Sequence, residues 1–441
     1  MKTRHPEHTP CLVYANAQGE IKEFPELLLA GRSGHRFHRP DPADCIPLPE
    51  GSDLFVLPRR LPVGIHPETN EAMLLDQSPD NPNEGIQAVA AFLAPAHTAT
   101  LWAAYEKADD TAPALPLFAY AAVGWHDGQF WACGFRSDKD PRQEANRYAP
   151  QSIATRTNRQ LKAHPENRLI QHLGHCCLTY RCPAAVNYFM GKWEAPLPTS
   201  PACNAQCVGC ISLQPSGCCA SPQERIGFVP TPNEIAEVAV PHLEKTGHVA
   251  SFGQGCEGEP LLQAPTLEAA IRLIRKHIAS GTVNLNSNAS LPGAVERLAH
   301  AGLDSMRVSM NSARPDYHTR YYRPKGFDLA TVRESIRVMK RANRFVSLNY
   351  FILPGFTDDP AEFAALCALI EECRPDFIQL RNLNMDVEWY LAALDFQPAG
   401  AAMGLRPWLA TLKERFPHLR FGYYNPPLRP PVQPAKTRRR R

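Results

Sequence analysis

The sequence predicts an α/β protein in which repeated βα units of parallel sheet follow a smaller α+β domain. From about residue 196, apolar strand-like runs alternate with amphipathic helices at intervals of roughly 30 residues, which is typical of right-handed βα crossovers. Before residue 165, short apolar runs are separated by Pro, Asp and Gly without a steady helical period. A strand just before Cys203 brings the count to about six units. Such a sheet is doubly wound or a partial barrel, and both bind ligands at the carboxyl ends of their strands.

Length and composition exclude several classes of protein. The chain has 441 residues, 44% of them hydrophobic and 21% charged, which is ordinary for a folded chain of two to four domains and excludes a disordered or fibrous one. No apolar run approaches the roughly 18 residues of a membrane span, and the first residues lack the apolar core of a secretory signal. We therefore expect a cytoplasmic protein with no membrane partner. Its 14 cysteines would then be reduced, and clustered cysteines would more often bind metal than form disulfides.

The chain divides into four predicted segments. Residues 1–165 form the α+β domain, with a hairpin at His126–Gly128 and a helix near 86–106. Residues 166–195 form a cysteine-bearing connector, 196–400 the βα core, and 401–441 an extension with a disordered basic tail. Residues 429–441 carry six positive charges and no acid, so the rest of the chain is near neutral despite a net charge of +3. The tail is either a solvated end or a segment that binds nucleic acid.

Each element of the core has its own signal. Thr231 is placed to cap a helix, because Pro232 follows it and Glu234 stands three residues after the cap. The next helix, from Thr266, carries an apolar stripe and closes at Gly281. The remaining predicted elements are strands at 248–253, 283–288, 305–311 and 345–353, helices at 292–301 and 328–343, a helix opened by Asp359–Pro360, and a last strand at 377–384.

The strongest chemical signal is the C-x3-C-x2-C spacing of Cys203, Cys207 and Cys210. Three thiolates on a short loop can hold three irons of a cubane cluster, which leaves the fourth iron open to a small molecule that chelates it and accepts an electron. The alternative is a zinc site, for which Cys218 or Cys219 would supply the fourth ligand.

This spacing resembles that of the radical S-adenosylmethionine (radical SAM) enzymes, and later segments resemble the family's motifs in the same order. These segments are GEPLL at 258–262, Ser287–Asn288, RVSMNS at 307–312 and LPGFTDD at 353–359. The resemblance covers roughly residues 196–385 and implies a partial (β/α)6 TIM-like barrel, a [4Fe–4S] cluster and bound SAM. The sequence departs from the family at Gly209, where an aromatic residue is usual, and at Glu257, where the family has a glycine.

The resemblance also implies roles for particular residues. Cys203, Cys207 and Cys210 would ligate iron, while Gly258 and Glu259 would meet the amino group of the SAM methionine. Asn288 and Ser309 would reach the ribose or the methionine carboxylate, and Asn311 is assigned to the same region. Reduction by a donor such as flavodoxin or ferredoxin would cleave SAM to methionine and a 5′-deoxyadenosyl radical that takes hydrogen from the substrate. The sequence assigns no further catalytic residue.

The substrate stays open at this point. We expect a peptide or protein, with an RNA base or a small metabolite as alternatives. The rival class is a non-catalytic iron–sulfur electron-transfer protein, whose cluster would have four protein ligands.

Several further residues have two readings each. Cys176, Cys177, Cys182, Cys218 and Cys219 either supply a second iron–sulfur cluster or are buried thiols, with His172 and His175 as additional candidate ligands. Cys256 either relays a radical or is a small packed residue. Glu257 either interacts with the substrate or caps a turn. Substrate-binding or merely structural roles are open for Arg381, Asn382, Asn384, Tyr321, Tyr322 and Arg323.

Overall fold

The computed structural model describes residues 6–140, 148–214, 219–245 and 247–428. Within its first range, the N-terminal domain consists of strands that all pair antiparallel, with a single 3-10 turn at Pro42–Asp44. The strands are β1 (Cys11–Ala15), β2 (Ile21–Leu29), β3 (Gly31–Ser33), β4 (Arg36–His38), β5 (Cys45–Pro47), β6 (Asp53–Leu57), β7 (Arg60–Ile65), β8 (Ala72–Leu74), β9 (Gln87–Phe92), β10 (His97–Ala99), β11 (Trp102–Ala103), β12 (Tyr105–Lys107), β13 (Val123–His126) and β14 (Gln129–Arg136).

The helix expected near residues 86–106 is wrong, and with it the α+β class of this domain. The segment forms β9 to β12, and β9 pairs with β1 and β6. Ala88, Ala90 and Ala91 are fully buried there, so pairing on both sides overrides the helical preference of alanine. The hairpin at His126–Gly128 is confirmed, because Asp127 and Gly128 both have positive φ in the two-residue loop between β13 and β14.

The connector is more helical than the sequence suggested. It contains α1 (Pro150–Ala163), α2 (Arg168–Thr179) and α3 (Pro183–Met190). Cys176 and Cys177 lie on α2, and Cys182 is the residue that precedes α3. Apolar side chains of all three helices pack in the hydrophobic core that the second sheet shares with its helices.

The second sheet has seven parallel strands in chain order, with helices between them. Its strands are β15 (Glu194–Leu197), β16 (Val249–Phe252), β17 (Thr282–Ser287), β18 (Ser305–Met310), β19 (Phe345–Ile352), β20 (Phe377–Asn382) and β21 (Arg420–Gly422). The helices are α4 (Pro232–Leu243), α5 (Ala264–His277), α6 (Pro292–Ala301), α7 (Pro315–Tyr322), α8 (Leu329–Arg341), α9 (Pro360–Cys373), α10 (Val387–Leu394) and α11 (Leu405–Arg415), with a 3-10 turn at Pro260–Gln263.

The predicted core elements from 231 to 382 are confirmed, including the capping box of Thr231 and Glu234 on α4. The count of six units needs correction, since the segment at 377–384 is not the last strand. β21 pairs in parallel with β20, so part of the segment expected as an extension belongs to the sheet. The expected disordered basic tail at 429–441, and with it the nucleic-acid reading of that tail, lies outside the described residues.

The strands bury apolar side chains toward the helices and point polar side chains to the inside. On β18, Met306, Val308 and Met310 are 0% exposed, while Arg307 and Ser309 alternate with them and line an interior cavity. Asn349 on β19 also faces that cavity. The inside of the sheet is therefore polar and suited to a polar ligand.

The chain after β21 returns across the inside of the sheet. The Asn425 side chain donates to Glu194 Oε1 on β15 at 2.8 Å and accepts from Gln379 Nε2 on β20 at 2.7 Å. One residue thus joins the first and sixth strands.

The N-terminal domain docks beside the carboxyl end of β20. Asn382 accepts from the Ala99 backbone N–H at 2.9 Å and donates to the His97 carbonyl at 3.1 Å. Arg60 and Asp386 form an ion pair at 2.8 Å that is almost fully buried. None of the described helices combines the length and apolar character that a bilayer crossing demands.

Candidate functional site

A cavity of about 370 Å³ lies at the carboxyl ends of the parallel strands. Its volume falls in the range of about 300–1,000 Å³ that is usual for small-molecule sites. Of the residues predicted from the sequence, those that line it are Cys203, Cys207, Cys210, Glu257, Gly258, Glu259, Ser287, Asn288, Ser309, Tyr321, Tyr322, Arg381, Asn382 and Asn384. The structure does not bring Asn311 there, because its side-chain amide donates to the Tyr317 carbonyl and to Tyr390 Oη.

The cysteine loop is held by backbone hydrogen bonds to the end of α7. The N–H groups of Gln206 and Val208 donate to the carbonyls of Tyr322 and Tyr321 at 2.9 and 3.0 Å. The Lys325 N–H donates to the Asn204 carbonyl at 2.8 Å. These bonds fix the loop without using any cysteine sulfur.

Gly258 brings a second loop against the first. Its N–H donates to the Ser200 carbonyl at 2.7 Å, and the Glu259 N–H donates to the Ala202 carbonyl at 2.8 Å. A Cβ on Gly258 would stand 2.0 Å from the Ala202 carbonyl oxygen, so any side chain would force the two backbones apart. Glycine is required here for this close approach beside Cys203.

Glu259 joins this loop to the end of β17. Its carboxylate accepts from Ser287 Oγ at 2.6 Å, from the Asn288 N–H at 2.8 Å and from the Leu261 N–H at 2.9 Å. Burial raises its pKa to about 7. The Asn288 side chain in turn donates to Asn204 Oδ1 at 2.8 Å. Both residues line the cavity and also hold its walls together.

Glu257 caps backbone groups, which is the second of its two readings. Its carboxylate accepts from the N–H groups of Thr199, Ser200 and Gln254 at 2.7–3.0 Å. Burial raises its pKa to about 7 as well.

Cys203, Cys207 and Cys210 all line the cavity. Three thiolates on one short loop can each bind a different iron of a cluster. Burial raises the pKa of Cys203 and of Cys207, so ligation must release their protons. Cys218, one of the two cysteines that could supply a fourth zinc ligand, lies outside the described residues.

Arg225 is a residue that the sequence did not single out. Its guanidinium donates to Cys210 Sγ at 3.6 Å and to Ser212 Oγ at 3.1 Å. The contact places a positive charge beside one of the three cysteines of the loop. An isolated arginine beyond the cysteine loop carries no sequence pattern that would reveal this contact.

Several buried polar atoms in the cavity wall have no protein partner among the described residues. They are Arg307 Nε, Tyr322 Oη, Asn349 Oδ1 and Arg381 Nε. Burial and the neighbouring charge of Arg381 lower the pKa of Arg307 to about 10. Unsatisfied buried polar groups cost free energy, so this wall fits a ligand that carries hydrogen-bonding and anionic groups.

The space beside Gly209 is already filled. A Cβ there would stand 3.0 Å from Met385 Sδ and 3.2 Å from Tyr321 Oη. Glycine replaces the family's usual aromatic residue where Met385 and Tyr321 occupy the room.

The other predicted cysteines lie away from this cavity. Cys256 does not line it and packs against Cys176 of α2. Cys177 Sγ contacts Thr157 Oγ1 at 3.4 Å, and Cys219 packs in the core shared with the N-terminal domain. Arg323 also stays outside the cavity and ends α7 with φ of 44°. A second cluster from the flanking cysteines remains a prediction.

Part of the chain matches a known family, and the match includes the three cysteines of the cavity. The model of the Radical SAM superfamily matches residues 197–367. The probable dual-specificity RNA methyltransferase RlmN of Synechococcus sp. (strain JA-2-3B'a(2-13)) is 29% identical over 157 residues, which cover 35% of this chain and 44% of that protein. The chain thus matches less than half the length of this relative.

Two solved structures show partial likeness. A radical SAM methyltransferase from Sphaerobacter thermophilus is 16% identical with a TM-score of 0.37, over 52% of this chain and 66% of that one. The AdoMet-bound structure of native anSMEcpe is 19% identical with a TM-score of 0.33, over 43% of this chain and 52% of that one.

Proposed function

We propose that this chain, whose residues 197–367 belong to the radical SAM superfamily, is an enzyme that binds a [4Fe–4S] cluster through Cys203, Cys207 and Cys210 and cleaves SAM at it. Enzymes of this superfamily use such a cluster together with SAM. The observation that carries the proposal is that the three cysteines line the same cavity as Gly258, Glu259, Asn288 and Ser309. Among the described residues, no fourth cysteine lines it, so one iron would be left for SAM.

When bound, the cluster supplies an electron to SAM and so starts radical chemistry on the substrate. The residues of the chain position the two cofactors. Arg225 contacts Cys210 Sγ, and the Glu259 carboxylate, which lines the cavity, is the proposed acceptor for the amino group of SAM. Ser309 and Asn288 are the proposed partners of the ribose or the methionine carboxylate.

The cavity also suggests a property of the substrate. Arg307 and Arg381 both line it; Arg307 donates to the neutral Gln379 side chain at 3.2 Å, and Arg381 lies 4.0 Å over the Tyr423 ring. Buried cations need a partner anion, so we propose that the substrate carries a carboxylate or phosphate near its reacting carbon. A peptide or protein remains the substrate class expected from the sequence. The RNA named for the Synechococcus relative favours an RNA base as the second candidate.

The test is electron paramagnetic resonance of the anaerobically reconstituted and reduced chain, with and without SAM. We expect a cluster signal that shifts on addition of SAM and is lost in Cys203→Ala, Cys207→Ala and Cys210→Ala. The control is Cys11→Ala, since Cys11 lies on β1 of the N-terminal domain. Methionine and 5′-deoxyadenosine should form in the unaltered chain only under reducing conditions. A cluster signal that is the same with and without SAM would support the electron-transfer alternative instead.

A further inference from the structure

A second group of metal-binding side chains lies on the outer side of the same loop that carries Gly258. His172 and Cys176 are four residues apart on α2 and therefore share one face of the helix. Cys256 reaches them from the loop after β16. One ligand atom from each of the three residues lies within 4.8 Å of the other two.

We infer that His172, Cys176 and Cys256 form a Zn²⁺ site separate from the cysteines of the cavity. Zinc–sulfur and zinc–nitrogen bonds of about 2.3 and 2.0–2.1 Å, at a tetrahedral angle, put the sulfur and nitrogen roughly 3.6 Å apart. Cys176 Sγ and His172 Nε2 stand 3.6 Å apart. The pair is therefore already at the separation that a shared zinc requires.

The donor set fits one ion of this charge. Two thiolates and a neutral imidazole balance the charge of Zn²⁺, and a neutral complex can be buried at low cost. The neutral charge is important because both sulfur ligands are buried: Cys176 and Cys256 are only 2% and 3% exposed. The close approach of the three donors favours a single ion over an iron–sulfur cluster, whose thiolates bind separate irons.

Cys182 lies at the edge of the site. Its N–H donates to the Cys176 carbonyl at 3.1 Å, which keeps it at the same end of α2. The fourth coordination position of the zinc is open to this thiol or to water.

The site would tie α2 to the wall of the cavity. Gly255 and Glu257 line the cavity, while Cys256 between them points to α2. A zinc here would therefore fix the loop that leads to Gly258 and Glu259. This consequence for SAM binding rests on the proposed function, whereas the metal site itself does not.

The experiment measures zinc and iron per chain by mass spectrometry of the full-length protein, purified without oxygen. We expect about one zinc per chain in the unaltered protein and in Cys203→Ala, which disturbs only the cavity cysteines. Zinc should fall to a small fraction in Cys176→Ser, Cys256→Ser and His172→Ala. Cys177→Ser is the matched control, because it is the next residue on α2 but contacts Thr157. Replacement of zinc by Co²⁺ should give thiolate-to-cobalt absorption that Cys256→Ser abolishes.

Three results would overturn the site: zinc that is unaffected by these substitutions, iron rather than zinc lost with them, or a Cys176–Cys256 disulfide in the freshly purified chain. Iron loss would instead indicate the auxiliary cluster. Circular dichroism identifies a variant that fails to fold. His172→Ala gives an independent answer in that case, because His172 is only half-buried. Failure of the zinc test would leave the response of the cluster signal to SAM unchanged, so the two proposals fail separately.

Discussion

The side-chain amide of Asn288 donates a hydrogen bond to the side-chain oxygen of Asn204 at 2.8 Å. This contact joins the end of β17 directly to the loop between Cys203 and Cys207, across 84 residues of chain. A residue expected to touch SAM therefore also positions the proposed iron ligands.

Asn288→Ala should loosen the cysteine loop. The lost hydrogen bond is worth about 1 kcal/mol and leaves Asn204 unpaired on one side. We expect lower retention of iron after desalting of the reconstituted chain, and a smaller SAM-induced change in the spectrum. Asn83→Ala, at an exposed position of the N-terminal domain, is the control. Normal iron retention in Asn288→Ala would show that the contact does not position the cysteines.

Gly258→Ala should disrupt the site more strongly than its small size suggests. The added Cβ meets the Ala202 carbonyl oxygen at 2.0 Å, so the backbone next to Cys203 must move. Overpacking of this kind costs typically 1–3 kcal/mol. We expect a lower Tm and weaker SAM binding by calorimetry. Gly293→Ala, whose Cβ would meet nothing within 4 Å, should lower neither, and an equal loss in both variants would contradict the steric argument.

Arg381→Gln should separate substrate binding from SAM cleavage. If Arg381 holds a substrate anion, the slow formation of 5′-deoxyadenosine without substrate should persist at an unchanged SAM concentration dependence. Arg323→Gln is the control, because Arg323 is exposed outside the cavity. A large rise in the SAM concentration needed for cleavage would instead place the methionine carboxylate at Arg381.

Stability of the cofactor-free chain should fall as pH rises from about 4.5 to 7. Burial raises the pKa of Glu257 from 4.5 to about 7, so in this window the folded chain holds a proton that the unfolded chain has lost. The folded state is therefore favoured at the acidic end, and the loss amounts to about 3 kcal/mol for this group. Thermal unfolding of the unaltered chain and of Glu257→Gln measures it. The decrease of Tm between pH 4.5 and 7 should be smaller in the variant. An equal decrease in both proteins would assign the effect to other groups.

Arg60→Met should weaken docking of the N-terminal domain. Arg60 and Asp386 are 0% and 3% exposed at the side chain, and removal of one partner of such a pair leaves a buried charge that costs about 3–5 kcal/mol. We expect faster proteolysis between the two domains and a lower Tm. Arg59→Met removes the exposed pair with Asp109 next to it and should cost less than about 1 kcal/mol. Similar losses in both variants would contradict a special role for the buried pair.

The parts of the fold that could be predicted are those with local patterns. The strands of the second sheet are short apolar runs between capped helices, and the cysteine spacing is itself a local feature. β9 was missed because its run of alanines is compatible with a helix until pairing with β1 and β6 decides it. β21 has only three residues and gains its identity from its neighbour β20.

The candidate site likewise combines features that the sequence predicts with contacts that it does not. The three cysteines and Gly258 could be found from the sequence, whereas the contacts that hold them depend on chain folding. The Arg225–Cys210 and Asn288–Asn204 pairs each use a polar residue with no local pattern. The approach of Cys256 to His172 likewise requires α2 to pack beside the loop after β16.

The bridge through Asn425 has a consequence for synthesis on the ribosome. Asn425 follows Cys203 by roughly 220 residues, so at about 5–20 residues per second the cysteine loop emerges roughly 10–45 s before the residue that spans β15 and β20. During that interval the nascent sheet lacks the hydrogen bonds through which Asn425 joins Glu194 and Gln379. The link between the first and sixth strands is therefore one of the last tertiary contacts of the sheet to form.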